Sequence, residues 1–496
     1  MTLVHRPPRE MTGIGDLART AGQWAHGAGQ LLLAVGTALA IAGLALWLSP
    51  LAALLAISAL FCAVLVAAHA EAGLLTLVLI TGLVDTDRLP LFPLGPFSLH
   101  GTDLLLAYLL ALTVAQLLVE RGKGVHTPLD LPLLWFYGAV LLAAAQAVLM
   151  HDAEPNFVLR RLRPLTYYLA FFATTQLVRT RRQLSALVGG LMLIALVASL
   201  IMALQLISVT VPWVSTASQE LVTAGRTSEG IMRTYLQAER LIYAMLLVAL
   251  CRLALGVRQL PLALAWLPTG ILALGLFLTF QRNYWLTMLL MIGALMFMLD
   301  NCSRLRLGGW ALGGVLVLLA ATFVPGSPLL PYLRSAGDRF IWGMQPATIA
   351  QDSSMQLRLM EMAYGWQAIG KQPWVGHGLA YLYRPLKTFD FYQDLPPTIG
   401  LRWYLHNAYL WLWVQAGLVA LVPFLWLLGS AIGRGLRRWR RLPDPQLQAI
   451  VLGNTLALLG QAISNLVAPN FLQSWVLVVF AILLGVNEVI LRRDWP

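Results

Sequence analysis

Apolar runs of about twenty residues recur along nearly the whole chain, and a helix of that length matches the hydrocarbon thickness of a bilayer. No other feature restricts the fold as strongly. Backbone polar groups find no water in lipid, so each run must satisfy its own hydrogen bonds and cross as an α-helix. The charge content agrees: 11% of the 496 residues are charged, against about 25% in a soluble domain. The expected fold is an all-α polytopic membrane protein of about 12–14 transmembrane helices, with one long outer loop that contains short helices.

The basic residues assign the sides. A formal net charge of +12 suits either nucleic acid or cytoplasmic loops. No basic run is interleaved with aromatics in a soluble domain, so no nucleic-acid partner is expected. Instead the basic stretches fall at every second turn: Arg179 to Arg182, Arg258, Arg304 with Arg306, the cluster Arg434 to Arg441, and Arg492-Arg493. That is the positive-inside pattern. It divides the chain into a cytoplasmic segment 1–27 carrying Arg6, Arg9 and Arg19, spans one to eleven in 28–324, a long outer loop 325–402, spans twelve to fourteen in 403–491, and a cytoplasmic tail 492–496. The three cysteines, Cys62, Cys251 and Cys302, form no CxxC pair, so neither a disulfide framework nor a zinc site is expected.

Charges on the translocated side run against this bias and therefore mark candidate function. Arg160, Arg161 and Arg163 stand in the outer loop before span six, near Leu165–Val178. Glu239 and Arg240 lie at the head of span eight, Arg282 sits at a tight outer turn between spans nine and ten, and Arg358 lies in the long loop. Ions at membrane depth are expensive and usually face an interior or a watery cavity. Guanidinium forks match phosphate oxygens, so arginines gathered at the outer surface fit a pyrophosphate head group. Snorkelling to lipid phosphates is the plain alternative for any one of them.

Within the long loop, Ser353 and Gln356 open a helix. Leu359, Met362, Ala363, Trp366 and Ile369 share one apolar face, and Gly370 and Pro373 end the helix. Arg358 and Glu361 lie off that face and read as a surface ion pair of little worth. Glycines around His377 predict a tight turn but match no phosphate-cradling motif. Span twelve, near Leu401–Leu428, starts with His406, which shares a face with Tyr409, Leu410 and Trp413. An imidazole at the water boundary either accepts a proton near neutral pH or anchors the interface.

In order, these segments resemble the O-antigen ligase and polymerase superfamily of bacterial envelope proteins. The resemblance runs over about Leu272–Leu428. It rests on Gln281-Arg282 opening a span, on Arg358 and Glu361 leading to Pro373, Gly376 and Gly378, and on His406-Asn407 with Tyr409, Leu410, Gly417 and Leu418. Two positions depart from the pattern: Gln281 replaces a small residue, and Gln415 stands where the family often has glutamate. The resemblance implies a metal-independent glycosyltransferase of the bacterial inner membrane, with its site and long loop facing the periplasm. Its donor would be a glycan on undecaprenyl pyrophosphate. Its acceptor would be lipid A core for a ligase, or another lipid-linked glycan for a polymerase. Membrane lipids surround it, and no cofactor is implied. His406 would be the catalytic base. Arg282, Arg358, Arg240, Arg163 and Arg160 would hold the pyrophosphate, supported by Glu361, Asn407, Tyr409 and Glu239. No outward Asp-x-Asp and no His/carboxylate cluster with ligand spacing points to a metal.

A lipid-glycan transporter is the rival from another class. Transporters often carry two similar halves with broken helices at the midplane. This chain has no self-similar halves, and its polar residues gather at the outer surface.

Overall fold

The computed structural model describes the chain from residue 61, and residue 58, apart from 85–91, 95–96, 121–123, 207–208, 210, 212, 215, 224–225, 258–261, 323–328, 343–352, 386–401 and 493–496. The expected cytoplasmic segment 1–27 and the first span therefore lie outside the described residues. Residues 1–70 form one compact unit and 71–496 another; in the first, residues 61–68 are helical. The second unit holds everything that follows.

Its elements, in order, are α1 (Ala70–Leu83), the hairpin β1 (Phe92–Leu94) and β2 (Phe97–Leu99), α2 (Gly101–Val119), α3 (Asp130–Met150), α4 (Pro155–Thr166), α5 (Ala170–Leu177), α6 (Arg181–Leu206), the hairpin β3 (Thr216–Thr223) and β4 (Arg226–Leu236), α7 (Glu239–Ala254), α8 (Leu262–Leu278), α9 (Arg282–Met298), α10 (Asn301–Thr322), α11 (Leu329–Trp342), α12 (Ser353–Lys371), α13 (Ala408–Arg438), α14 (Pro445–Ser464) and α15 (Ser474–Arg492). Among the described residues, α2, α3, α6, α13, α14 and α15 are long and apolar enough to cross a membrane, and shorter apolar helices lie in α8 and α9. This is an all-α polytopic membrane protein with two small antiparallel hairpins added.

Burial is inverted relative to a soluble bundle. α7, α14 and α15 are buried almost all round and form the centre. α3 keeps Leu131, Leu134, Trp135, Leu141, Leu142, Leu149 and Met150 on its exposed side. Apolar residues on the outside are what acyl chains solvate, so exposure here marks a lipid face. Small residues let the central helices touch: a Cβ on Gly453 of α14 would come within 2.5 Å of Val248 Cα on α7. Polar glue follows, with Asn487 of α15 accepting from Asn454 at 3.2 Å and donating to Thr455 at 3.1 Å. Toward the C-terminal end of α13, Arg434 makes two hydrogen bonds, 2.9 and 3.0 Å, to the buried Glu488 of α15.

Three sequence expectations change. Span six is not one continuous helix: amphipathic α4 carries the three arginines, a 3-10 turn over Tyr167–Leu169 follows, and α5 completes the passage. Pro164 near the end of α4 lacks an N–H for the helical ladder. Between α6 and α7, where the all-α expectation has no strand, the chain forms the β3–β4 hairpin, paired from Thr216↔Leu236 to Thr223↔Arg226. Finally, Arg304 and Arg306, expected in an inner loop, lie within α10 and cap neighbouring helices. Arg304 donates to Met296 O of α9 at 2.8 Å, and Arg306 to Ala254 O of α7 at 3.0 Å.

Candidate active site

Span twelve begins later than its apolar run suggests, because Asn407 caps it. The Asn407 side chain accepts from Tyr409 N and Leu410 N, both at 3.0 Å, so α13 starts at Ala408. Residues 402–407 therefore form an irregular, non-helical strap leading into the helix, with His406 on the strap one residue before the cap. Tyr409, one turn in, donates its hydroxyl to Ala462 O on α14 at 2.7 Å and is a structural brace.

α12 packs against this strap with an unexpected face. Leu359 and Trp366 of the apolar stripe are 55% and 53% exposed, while Glu361, Gly365 and Ala368 are buried. The stripe is divided: Leu359 faces out, Trp366 meets Trp413 of α13 edge-on at 5.6 Å, and Ile369 is buried. The residues at i, i+4 and i+7 are small apart from the glutamate and permit close approach. A Cβ on Gly365 would lie 2.9 Å from Leu405 Cδ1. Glu361 thus enters the interior, at 1% exposure, and is no surface partner of Arg358.

Inside, Glu361 Oε2 accepts two hydrogen bonds from His406: from the backbone N–H at 3.0 Å and from Nδ1 at 2.7 Å. An ionised carboxylate only accepts, so Nδ1 is the donor of this pair, and in the neutral ring Nε2 then holds the lone pair. Among the described residues, Nε2 has no hydrogen-bond partner, and the His406 side chain is 25% exposed. The other carboxylate oxygen lies 3.8 Å from Nη1 of Arg384, itself 2% exposed. A base oriented by a buried carboxylate is the arrangement that proton abstraction needs.

Backbone geometry locks α12 to α13. After α12, the chain turns through Pro373–Gly378 and lies against a break in α13 at Gly417, where φ is 69° and ψ −174°. Only glycine accepts that conformation readily. A Cβ on Gly417 would meet Trp374 O at 2.1 Å, and one on Gly376, also at positive φ, would meet Gln415 O at 2.6 Å. His377 N donates to Val414 O at 3.0 Å, and Leu418 N to Pro373 O at 3.0 Å. His377 is structural: its Nε2 pairs with Ala368 O at 2.8 Å. Gln415, fully buried, accepts from Tyr381 N at 2.8 Å and donates to Tyr381 O at 3.0 Å. The amide satisfies both partners, which an ionised glutamate could not.

The strap is held along its length. Arg402 Nε donates to Arg384 O at 2.7 Å, and Tyr383 donates to Tyr404 O at 2.8 Å. Burial, with the Glu361 charge adding to it, pushes the Tyr383 phenol up, so it stays a donor. The Arg161 guanidinium lies 3.3 Å above the Trp403 ring and 4.9 Å from that of Phe157. Burial, and then Arg160 beside it, lower Arg161 to about 10, so it remains charged at neutral pH. The Tyr404 ring meets His406 edge-on at 5.0 Å, and its hydroxyl lies near enough to Arg240 to feel its charge.

The predicted arginines separate into two groups. Arg163 is bonded to Asp103 of α2 at 3.0 Å, and Tyr167 donates to the same carboxylate. Arg240 is buried over Tyr284, with Nη1 3.2 Å from Glu239 and Nη2 2.5 Å from Asn470. Glu239 also accepts from Gln281 at 2.7 Å, so the long side chain replacing a small one there has its own partner. These two arginines brace helices. Arg282, first residue of α9, and Arg358 are half-buried and engaged with neighbours, and Arg160 is exposed. Of the three arginines noted before span six, the site assignment left out Arg161, and sequence reasoning missed Arg384. The i, i+4 spacing of Phe157 and Arg161 was a legible signal for the first; no local pattern marks the second.

Fold and site together define a multi-pass membrane protein with a carboxylate-oriented histidine where a loop helix returns to the head of a span. Residues 267–425 match the family described as O-Antigen ligase, which places that region in the O-antigen ligase superfamily and supports an enzyme related to glycosyl transfer. The matched stretch contains Arg282, Arg358, Glu361, Arg384 and His406. A comparison with curated proteins finds no match.

Proposed function

We propose that the protein transfers a glycan from a polyprenyl-pyrophosphate donor to an acceptor sugar at the outer face of the bacterial inner membrane. The observation that carries this reading is the His406–Glu361 pair inside the family-matched region, with Nε2 left free to take a proton. The acceptor hydroxyl oxygen attacks the anomeric carbon of the donor. Its proton passes to His406 Nε2, the bond from that carbon to the pyrophosphate oxygen breaks, and the bonding electrons leave with the pyrophosphate. Arg282, Arg358 and Arg160 offset that charge. Proton removal by a positioned base is worth roughly a hundred- to ten-thousand-fold. The reading is metal-independent.

The ligase form, with lipid A core as acceptor, is preferred; a polymerase using a second lipid-linked glycan shares the same chemistry. Purified protein in vesicles, given lipid-linked glycan with and without lipid A core, tests both. A single glycan joined to core supports the ligase, and a ladder formed without core supports the polymerase. Movement of glycan across the vesicle membrane with no new bond refutes the enzyme reading in favour of a transporter.

A further inference from the structure

We propose that Arg384 is a positioning residue that keeps Glu361 charged while His406 stays uncharged, so that the imidazole is available as a base. This rests on the reading of His406 as the base and adds a residue that the sequence motifs did not include. Glu361 and Arg384 are 1% and 2% exposed, which makes them a buried opposite pair with oxygen and nitrogen 3.8 Å apart. A buried cluster avoids net charge, because each uncompensated ion in the interior costs several kcal/mol. Among the described groups, neutrality with Arg384 present is met by one cation, one carboxylate and a neutral imidazole. Without it, the carboxylate finds neutrality by drawing a proton onto His406, its only other cationic partner among the described ion pairs. The protonated ring has no lone pair on Nε2 and cannot accept the acceptor's proton.

The surrounding groups leave Arg384 as the balancing charge. Tyr383, on the same segment, faces Glu361 as a neutral phenol donating to Tyr404 O. Tyr404, on the strap, faces His406 by its ring edge. Arg240, beyond Tyr404, is already paired with Glu239. Arg402 donates to the Arg384 carbonyl and helps hold that residue's backbone in place.

The test is the pH profile of glycan transfer for the wild type, R384Q, R384K and H406A. R384Q removes the charge, and its acid limb should move to higher pH by about one unit or more, the usual effect of a nearby charge, with activity recovering on the alkaline side. R384K keeps the charge, and its limb should stay in place although its plateau falls. An R384Q limb at the wild-type position overturns the proposal and leaves Arg384 as packing. Should R384Q fail to fold, R384K decides: an unmoved limb supports the charge role and a moved one overturns it. H406A separates the two layers. A fully active H406A refutes the base reading itself, whereas an inactive H406A beside an unmoved R384Q limb refutes only the role of Arg384.

Discussion

Replacing Glu361 by glutamine tests the site with the least change of shape. Both His406 contacts converge on Oε2, at 3.0 Å from the backbone N–H and 2.7 Å from Nδ1. Bonds to a charged acceptor contribute about 1.5–3 kcal/mol each. The amide oxygen can keep one of them. Where the amide NH2 faces Nδ1, that nitrogen must accept, which moves the ring proton to Nε2 and removes the lone pair that takes the acceptor's proton. Fixing the wrong tautomer in an oriented histidine dyad lowers turnover by about ten-thousand-fold where it has been measured, or roughly 5 kcal/mol of barrier. Transfer by E361Q should therefore fall by about three to four powers of ten. Removing the carboxylate charge beside buried Arg384 should also lower stability, since breaking a buried pair costs about 3–5 kcal/mol. The assay is single-turnover glycan transfer on protein shown to be folded by thermal melting, with donor binding measured alongside. Transfer within a few-fold of wild type in folded E361Q would refute the orienting role.

Three further outcomes follow from the geometry. Arg161→Gln removes the stack on Trp403, and since a desolvated cation–π contact is worth about 2 kcal/mol, the melting temperature should fall and transfer drop modestly; unchanged melting would show that the strap is held elsewhere. Arg282→Lys and Arg358→Lys should each lose donor binding, because a point charge lacks the guanidinium fork, and full binding by the lysine variants would refute a clamp at those positions. Gly417→Ala forces a side chain into a conformation that costs about 1–3 kcal/mol and against Trp374 O at 2.1 Å, so it should destabilise the protein and impair transfer together; wild-type melting would contradict the lock between α12 and α13.

The membrane class was readable because lipid demands long apolar helices, and the match over 267–425 agrees with the resemblance read over about 272–428. His406 was readable as the head of a span for the same reason. Glu361 was misread as a surface ion because it lies off the apolar stripe of α12, yet in a membrane protein an apolar residue such as Leu359 can face out while Glu361 turns in. The partners of Glu361 were not legible: Arg384 and His406 lie 23 and 45 positions away, and only the fold of the 373–385 turn and the strap brings them together. Among three neighbouring outer arginines, sequence favoured Arg160 and Arg163. The structure seats Arg161 on the strap and ties Arg163 to Asp103, 60 positions upstream.

The central claim is that His406 removes the acceptor's proton, and the most direct measurement is glycan transfer by His406→Ala with donor binding followed in parallel. The residue is a quarter exposed and lies outside the helix it precedes, so the variant should fold. Transfer should fall by about two to four powers of ten while the lipid-linked donor still binds. Near-normal transfer would contradict the account and reduce His406 to an interface anchor. Loss of donor binding along with transfer would also contradict it, by placing His406 among the groups that hold the pyrophosphate.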